Sequence, residues 1–164
     1  MKAHLKIISP TLKNKMKKND IIQLEITDIT HEGSGVGRHE GMAVFVPLTA
    51  VGDKINAHIL KMNKNYAFAK IQEIITPSKH RIDIDCGVFA RCGGCSLRHI
   101  QYAHEAQLKQ NRVTQTMQRI GKVKVEAQPI IFAQNPDRYR NKALYPVSED
   151  KEIGFYSRHS HRTV

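Results

Sequence analysis

Tryptophan is absent, aromatic residues make up 6% of the chain, and cysteine occurs only three times in 164 residues. With 40% hydrophobic residues and so few large rings, the chain can fill only modest cores, and two small units suit it better than one large domain. No apolar run is long enough to cross a bilayer, and the lysine-rich stretch 1–19 has no apolar signal core, so a soluble cytoplasmic protein with no membrane role is expected. No obligate protein partner is implied. Acid is also scarce: 15 Asp and Glu face 26 Lys and Arg, a formal net charge of +11. The resulting pI near 9.7 points to polyanionic partners such as nucleic acid. The surplus is uneven. Residues 1–20 hold six lysines against one aspartate, 21–79 six basic against six acidic residues, and 80–164 fourteen against eight. A nucleic-acid surface in the middle stretch must therefore be a local patch, while the first residues are either a solvated tail or a functional arm.

What cysteine there is stands together. Cys86-Gly-Val-Phe-Ala-Arg-Cys92-Gly-Gly-Cys95 holds all three thiols within ten residues. Spaced five residues and then two apart, with two glycines freeing the backbone, they can converge on one centre. Soft thiolates select zinc, Cu(I) or iron-sulfur clusters, and a closed site takes four protein ligands. Four readings stay open on the residues alone. They are an iron-sulfur cluster lacking its fourth ligand, a Cys3His zinc site completed by His99, a Cys92-Cys95 redox pair at a helix start, and free buried thiols.

Along the chain, Ile22, Leu24 and Ile26 alternate with polar residues in the period of a half-buried strand. Gly33-Ser34-Gly35-Val36-Gly37 is followed by a turn at Glu40-Gly41 and a strand from Met42. No helix follows to meet a phosphate, so the glycines mark a bulge or barrel corner with a short strand, not a nucleotide loop. Ile55, Ala57 and Ile59 alternate again, and 66–74 completes about five strands, the number that suits a small closed barrel of the oligonucleotide-binding type. On such a barrel Arg38, Lys61, Lys64 and Tyr66 are candidates for phosphate contact and base stacking. Thr76-Pro77-Ser78 then links into the cysteine stretch.

Ser96 can cap a helix whose apolar positions, among them Leu97, Ile100, Ala106, Val113, Met117 and Ile120, run to a stop at Gly121. Its other positions carry Arg98, Lys109, Arg112 and Arg119, which could follow RNA phosphates or simply face solvent. Beyond it Val123 and Val125, 130–132, 137–147 and 152–157 read as β, the last two as a hairpin around Ser148-Glu149-Asp150-Lys151. Arg138-Tyr139-Arg140-Asn141-Lys142 combines cations, an aromatic ring and an amide, the residue types that bind phosphates and read unstacked bases. His159 and His161 alternate on this last stretch but have no further ligand beside them in sequence.

The cysteine stretch with the following Ser96-Leu97-Arg98-His99, together with Arg138-Tyr139-Arg140-Asn141-Lys142-Ala143 and Gly154-Phe155-Tyr156, resembles the N-terminal half of the RNA (uracil-C5)-methyltransferases that act on 23S ribosomal RNA. The resemblance covers all but about the first dozen residues. It implies a mainly β chain with one helix: a basic tail at 1–12, a five-stranded OB-like TRAM barrel at 13–75 that binds RNA, a linker and cysteine cluster at 76–95, and at 96–164 a helix plus hairpin beginning an incomplete α+β iron-sulfur and RNA-binding domain. It implies further that Cys86, Cys92 and Cys95 hold a four-iron four-sulfur cluster whose fourth cysteine is absent from this chain, and that Arg140, Asn141 and Lys142, with Arg138 beside them, lie against ribosomal RNA.

Methylation at uracil C5 needs a thiolate to add to the ring, a base, and S-adenosylmethionine as donor in the full-length enzyme. With all three cysteines in one motif, no catalytic constellation is evident, and the chain alone is expected to be an inactive fragment. The alternative from a different class is a stand-alone RNA-binding module with a zinc or iron-sulfur site.

Overall fold

The computed structural model describes residues 16–164. The tail assigned to 1–12, and Lys13 and Lys15, lie outside the described residues. Five strands, β1 (Ile21–Ile29), β2 (Gly35–His39), β3 (Met42–Val46), β4 (Lys54–Met62) and β5 (Tyr66–Thr76), precede one helix, α1 (Tyr102–Arg119). The strands close into a barrel in the order β1-β2-β3-β5-β4, antiparallel except where β3 runs parallel to β5. The expected five-stranded barrel is thus present, and closure removes its exposed edges.

Alternation decides which face of each strand goes inside. Ile22, Leu24 and Ile26 from β1, Val44 and Val46 from β3, Ile55, Ala57 and Ile59 from β4, and Ala67 and Ala69 from β5 fill one core, with Met16 at its end. β2 contributes almost no side chain to it. A Cβ on Gly37 would lie 2.5 Å from Leu24 Cγ and 2.6 Å from the Glu25 carbonyl oxygen, and one on Gly35 would strike Thr49 Oγ1 and Ile26. The glycines therefore let β2 press directly on β1, which shifts register between Ile26 and Asp28 as it bends.

A second, smaller core joins Ile29 and Ala50 of the barrel to Ile100, with Leu97 and Leu108 packed against it. Here the helix expected from Ser96 gives way to a different solution. Residues 97–100 form a turn that buries His99 and Ile100, and α1 begins only at Tyr102. The backbone of the turn pairs with 80–82 in place of an earlier helical turn: Arg81 faces Ile100, Ile82 N donates to the His99 carbonyl and Gln101 N to the His80 carbonyl. The end of the helix, before Gly121, is as expected, but of the apolar stripe only Ala106 is fully buried within α1, and Val113, Met117 and Ile120 are exposed.

The β pattern beyond Val123 is also corrected. The expected turn at 148–151 is present, closed by Val147 facing Ile153 and by Ser148 N donating to the Glu152 carbonyl, but residues 123–164 contain no extended strand, the other pairings being single bridges between Cys92 and Ser157 and between Tyr156 and Thr163. Ile131 and Leu144 are 98% and 82% exposed. Alternation yields a strand when a surface is there to bury one side of it, and most of 131–145 is left exposed. No helix among the described residues is long and apolar enough to cross a membrane.

Candidate nucleic-acid interface and cysteine loop

The barrel grips both ends of the cysteine loop through one buried carboxylate. Asp53 is fully buried and accepts from Ala50 N at 2.6 Å, Ser78 N at 2.8 Å, Arg81 Nε at 2.8 Å and Arg81 Nη2 at 2.7 Å. Arg81 also donates to the Leu48 carbonyl at 2.9 Å. Burial pushes the Asp53 pKa up, but the bonds from Arg81, the two backbone amides and the Arg81 charge outweigh it and hold the carboxyl below the usual aspartate range. Arg81 in turn bridges to Ile100, and the flanking bonds Ile82 N to His99 O and Gln101 N to His80 O close the base of the loop. His99, deeply buried, donates from Nε2 to the Thr49 carbonyl at 3.1 Å. Burial, aided by the charges of Arg81 and Arg158, lowers its pKa against the opposing effects of that bond and Asp53, so the ring is neutral with Nδ1 bare.

Within the loop, Asp85 pairs bidentately with Arg98 at 2.7 Å for both bonds. Phe89 is buried as a plug, 5.5 Å from the His99 ring and 5.3 Å from the Arg158 guanidinium. Arg158 reaches over from the C-terminal segment, donating to the carbonyls of Phe89 and Cys95, while its own amide donates to the Arg91 carbonyl. Cys92 is buried, Cys86 partly so and Cys95 exposed, and the Gly94 amide donates to Cys92 Sγ at 3.3 Å. The three thiols share one clamped loop. Among the described residues, however, no three His, Cys, Asp or Glu side chains converge closely enough to hold a metal ion, His99 included.

The other candidates fall into two places. Arg38, Lys61, Lys64 and Tyr66 are all exposed on the barrel. Arg38 Nη1 donates to the Gly41 carbonyl, which tethers its base but leaves the other donors outward. Arg138, Arg140, Asn141 and Lys142 are exposed on irregular backbone, not on a hairpin, and Arg140 lies 5.7 Å over the Tyr139 ring. The two sets belong to different elements. The proposed phosphate-tracking face of the helix is largely committed elsewhere: Arg98 lies before α1 and pairs with Asp85, Lys109 pairs with Glu105, and Arg112 donates to the Thr30 carbonyl. His159 and His161 are exposed and not on a strand.

Sequence reasoning missed Asp53, Arg81 and Arg158, whose partners lie far away in the chain. It also passed over Phe45 and Phe68. These two rings and Tyr66 stand within 5.5 to 5.7 Å of one another on the outside of the barrel. The signal was present in the strict alternation of Tyr66 and Phe68 with the small Ala67 and Ala69, which puts the rings outside because the alanines must be inside.

Comparison with known proteins agrees with this geometry. The domain family described as TRAM domain matches residues 15–71. Over 152 residues, 91% of this chain, the chain is 45% identical to a Listeria monocytogenes protein named an uncharacterized RNA methyltransferase, of which it covers 34%. Proteins of the same description from Halalkalibacterium halodurans and Clostridium tetani are 39% and 36% identical, each over 91% of this chain and 33% of its own length. The chain spans about a third of the length of the curated relatives it matches.

Proposed function

We propose that this chain is the RNA-recognising, N-terminal part of an RNA methyltransferase, and more narrowly of an enzyme that transfers methyl from S-adenosylmethionine to C5 of a uracil in 23S ribosomal RNA within the cytoplasm. The observation that carries the broader reading is a closed five-stranded barrel matching the TRAM domain within a chain similar over most of its length to proteins named RNA methyltransferases. The narrower reading is supported by the motif resemblance around Cys86, Arg138 and Gly154. The division of labour follows from the chemistry. Addition of a thiolate to the uracil ring and removal of the C5 proton require a nucleophile and a base held at the substrate, and here the thiols are gathered in a loop clamped against the barrel. This part of the enzyme binds and orients RNA; the reading places nucleophile, base and methyl donor in other parts of the parent protein.

Cys86, Cys92 and Cys95 are proposed as three ligands of a four-iron four-sulfur cluster. The donor set is soft, it lies on one short loop, and an amide already donates to Cys92 Sγ. The thiols do not meet in the present geometry, so the loop must draw them together on binding. The group would supply a structural crosslink, pinning the segment before α1 to the loop that Arg81 and Arg158 hold.

Deleting the gene and digesting 23S ribosomal RNA for mass spectrometry tests the enzymatic reading: one 5-methyluridine should disappear. An unchanged 5-methyluridine content would remove the uracil-C5 assignment. For the cluster, anaerobic purification of the protein with iron, sulfide and zinc analysis should find iron and sulfide in equal amounts. Stoichiometric zinc without sulfide, lost on His99→Gln, would establish the Cys3His alternative instead.

A further inference from the structure

We infer that the outward face of β2, β3, β5 and β4 is a stacking surface for the unpaired bases of single-stranded RNA, built on Phe45, Tyr66 and Phe68. This rests on the RNA-binding reading above and specifies how that binding is made. The cross-strand register sets the surface out in rows. Arg38 faces Ala43, and Ala43 faces Tyr66. In the next row Val36 faces Phe45, Phe45 faces Phe68, and Phe68 faces Lys61. Lys70 and His58 make the row beyond. The rings therefore occupy the middle of the face, with Arg38 on one side and Lys61 and Lys70 on the other; within β2, β3, β5 and β4 these rows hold no acid, and the one acid in register with them is Asp28 on β1, opposite Val36.

The rings are not core residues that fell short of burial. The strands that carry them, β3 and β5, send Val44, Val46, Ala67 and Ala69 into a filled interior, and Tyr66 and Phe68 remain 39% and 41% exposed. Tyr66 packs close to perpendicular to both neighbours, at 69° to Phe45 and 89° to Phe68, so the three rings form one connected aromatic cluster. Contiguous exposed aromatic surface on a soluble barrel marks a binding site. Its rim of cations selects the partner: bases stack on the rings while the phosphates of the same strand lie near Arg38, Lys61 and Lys70. An apolar protein partner would use the rings and leave the cations unmatched. Duplex RNA would satisfy the cations but hides its base faces. The neutral charge of the stretch 21–79 is thus an average over a basic aromatic face and acids placed elsewhere.

The test uses the whole chain with a labelled single strand of about twelve nucleotides, within the site sizes of such barrels, and a duplex of equal length. Phe45→Leu, Tyr66→Leu and Phe68→Leu should each weaken single-strand binding roughly 5- to 100-fold and leave the weaker duplex binding unchanged. Because the chain has no tryptophan, Phe68→Trp introduces a lone reporter, which should keep the affinity and be quenched by the single strand only. This variant decides the matter even if a leucine variant folds poorly. If the wild type binds RNA but the leucine variants bind equally well and Trp emission does not change, stacking is wrong and the RNA-binding reading survives. If the wild type binds neither RNA, both fall.

Discussion

Four donors converge on the carboxylate of Asp53, and the two from Arg81 come from 28 residues away. No local pattern announces such a pair. Removing one partner leaves the other buried without compensation, so Asp53→Ala should cost about 3–5 kcal/mol, measured by urea denaturation. A loss under about 1 kcal/mol, the range of exposed pairs, would show that Asp53 is not the joint between barrel and loop. The pH dependence has two windows. The lowered pKa of Asp53 means its contribution is complete above the ordinary aspartate value near 4 and is lost as pH falls through the lowered folded value. For His99, kept neutral by burial, the unfolded chain takes up a proton first, so stability is complete above about pH 6.5 and declines below it. His99→Gln can still donate to the Thr49 carbonyl but does not titrate. Its urea midpoint should therefore fall less between about pH 7.5 and about pH 5 than that of the wild type; equal falls would mean that His99 is not buried neutral.

At the level of elements, β1, β3, β4 and β5 were legible because each has one face in a closed interior, and a two-residue period survives such burial. β2 was legible as a short strand around the glycines but without a burial period of its own, for it supplies close approach in place of side chains. Gly37→Ala tests this most sharply, because one of the atoms in its way is backbone. We expect a loss of about 1–3 kcal/mol with the barrel retained, whereas an unchanged melting midpoint would show that β1 and β2 have room to separate. The helix start, and the arms of the C-terminal hairpin beyond its turn at 148–151, differ from expectation for related reasons. Ser96 has the chemistry of a cap, yet burial of His99 and Ile100 takes the chain out of helical geometry there. The stretch 137–157 has the alternation of strands and only isolated bridges to form. Arg140 and Lys142 consequently have no rigid ladder beneath them. Alanine at either should lower affinity for single-stranded RNA modestly and reduce the salt slope by about 0.7 per charge removed, which titrations at several salt concentrations will show.

Over the whole molecule, the RNA-binding reading proposed above assigns the contacts to the barrel face and the exposed C-terminal stretch, and on that reading the formal charge of +11 overstates how much of the binding is electrostatic. Arg38, Lys61 and Lys70 on the barrel face, joined by Arg138, Arg140 and Lys142, are the cations positioned to meet phosphates. Each phosphate neutralised on a single strand contributes about −0.7 to the slope of log affinity against log salt. The measurement that tests the account most directly is therefore a titration of the chain with single-stranded RNA across a series of salt concentrations. Saturable binding with a slope between about −2, for the barrel face alone, and about −4, for both sets, is the predicted result. No binding at low salt, or a slope near −8 as if every net charge were engaged, would contradict it.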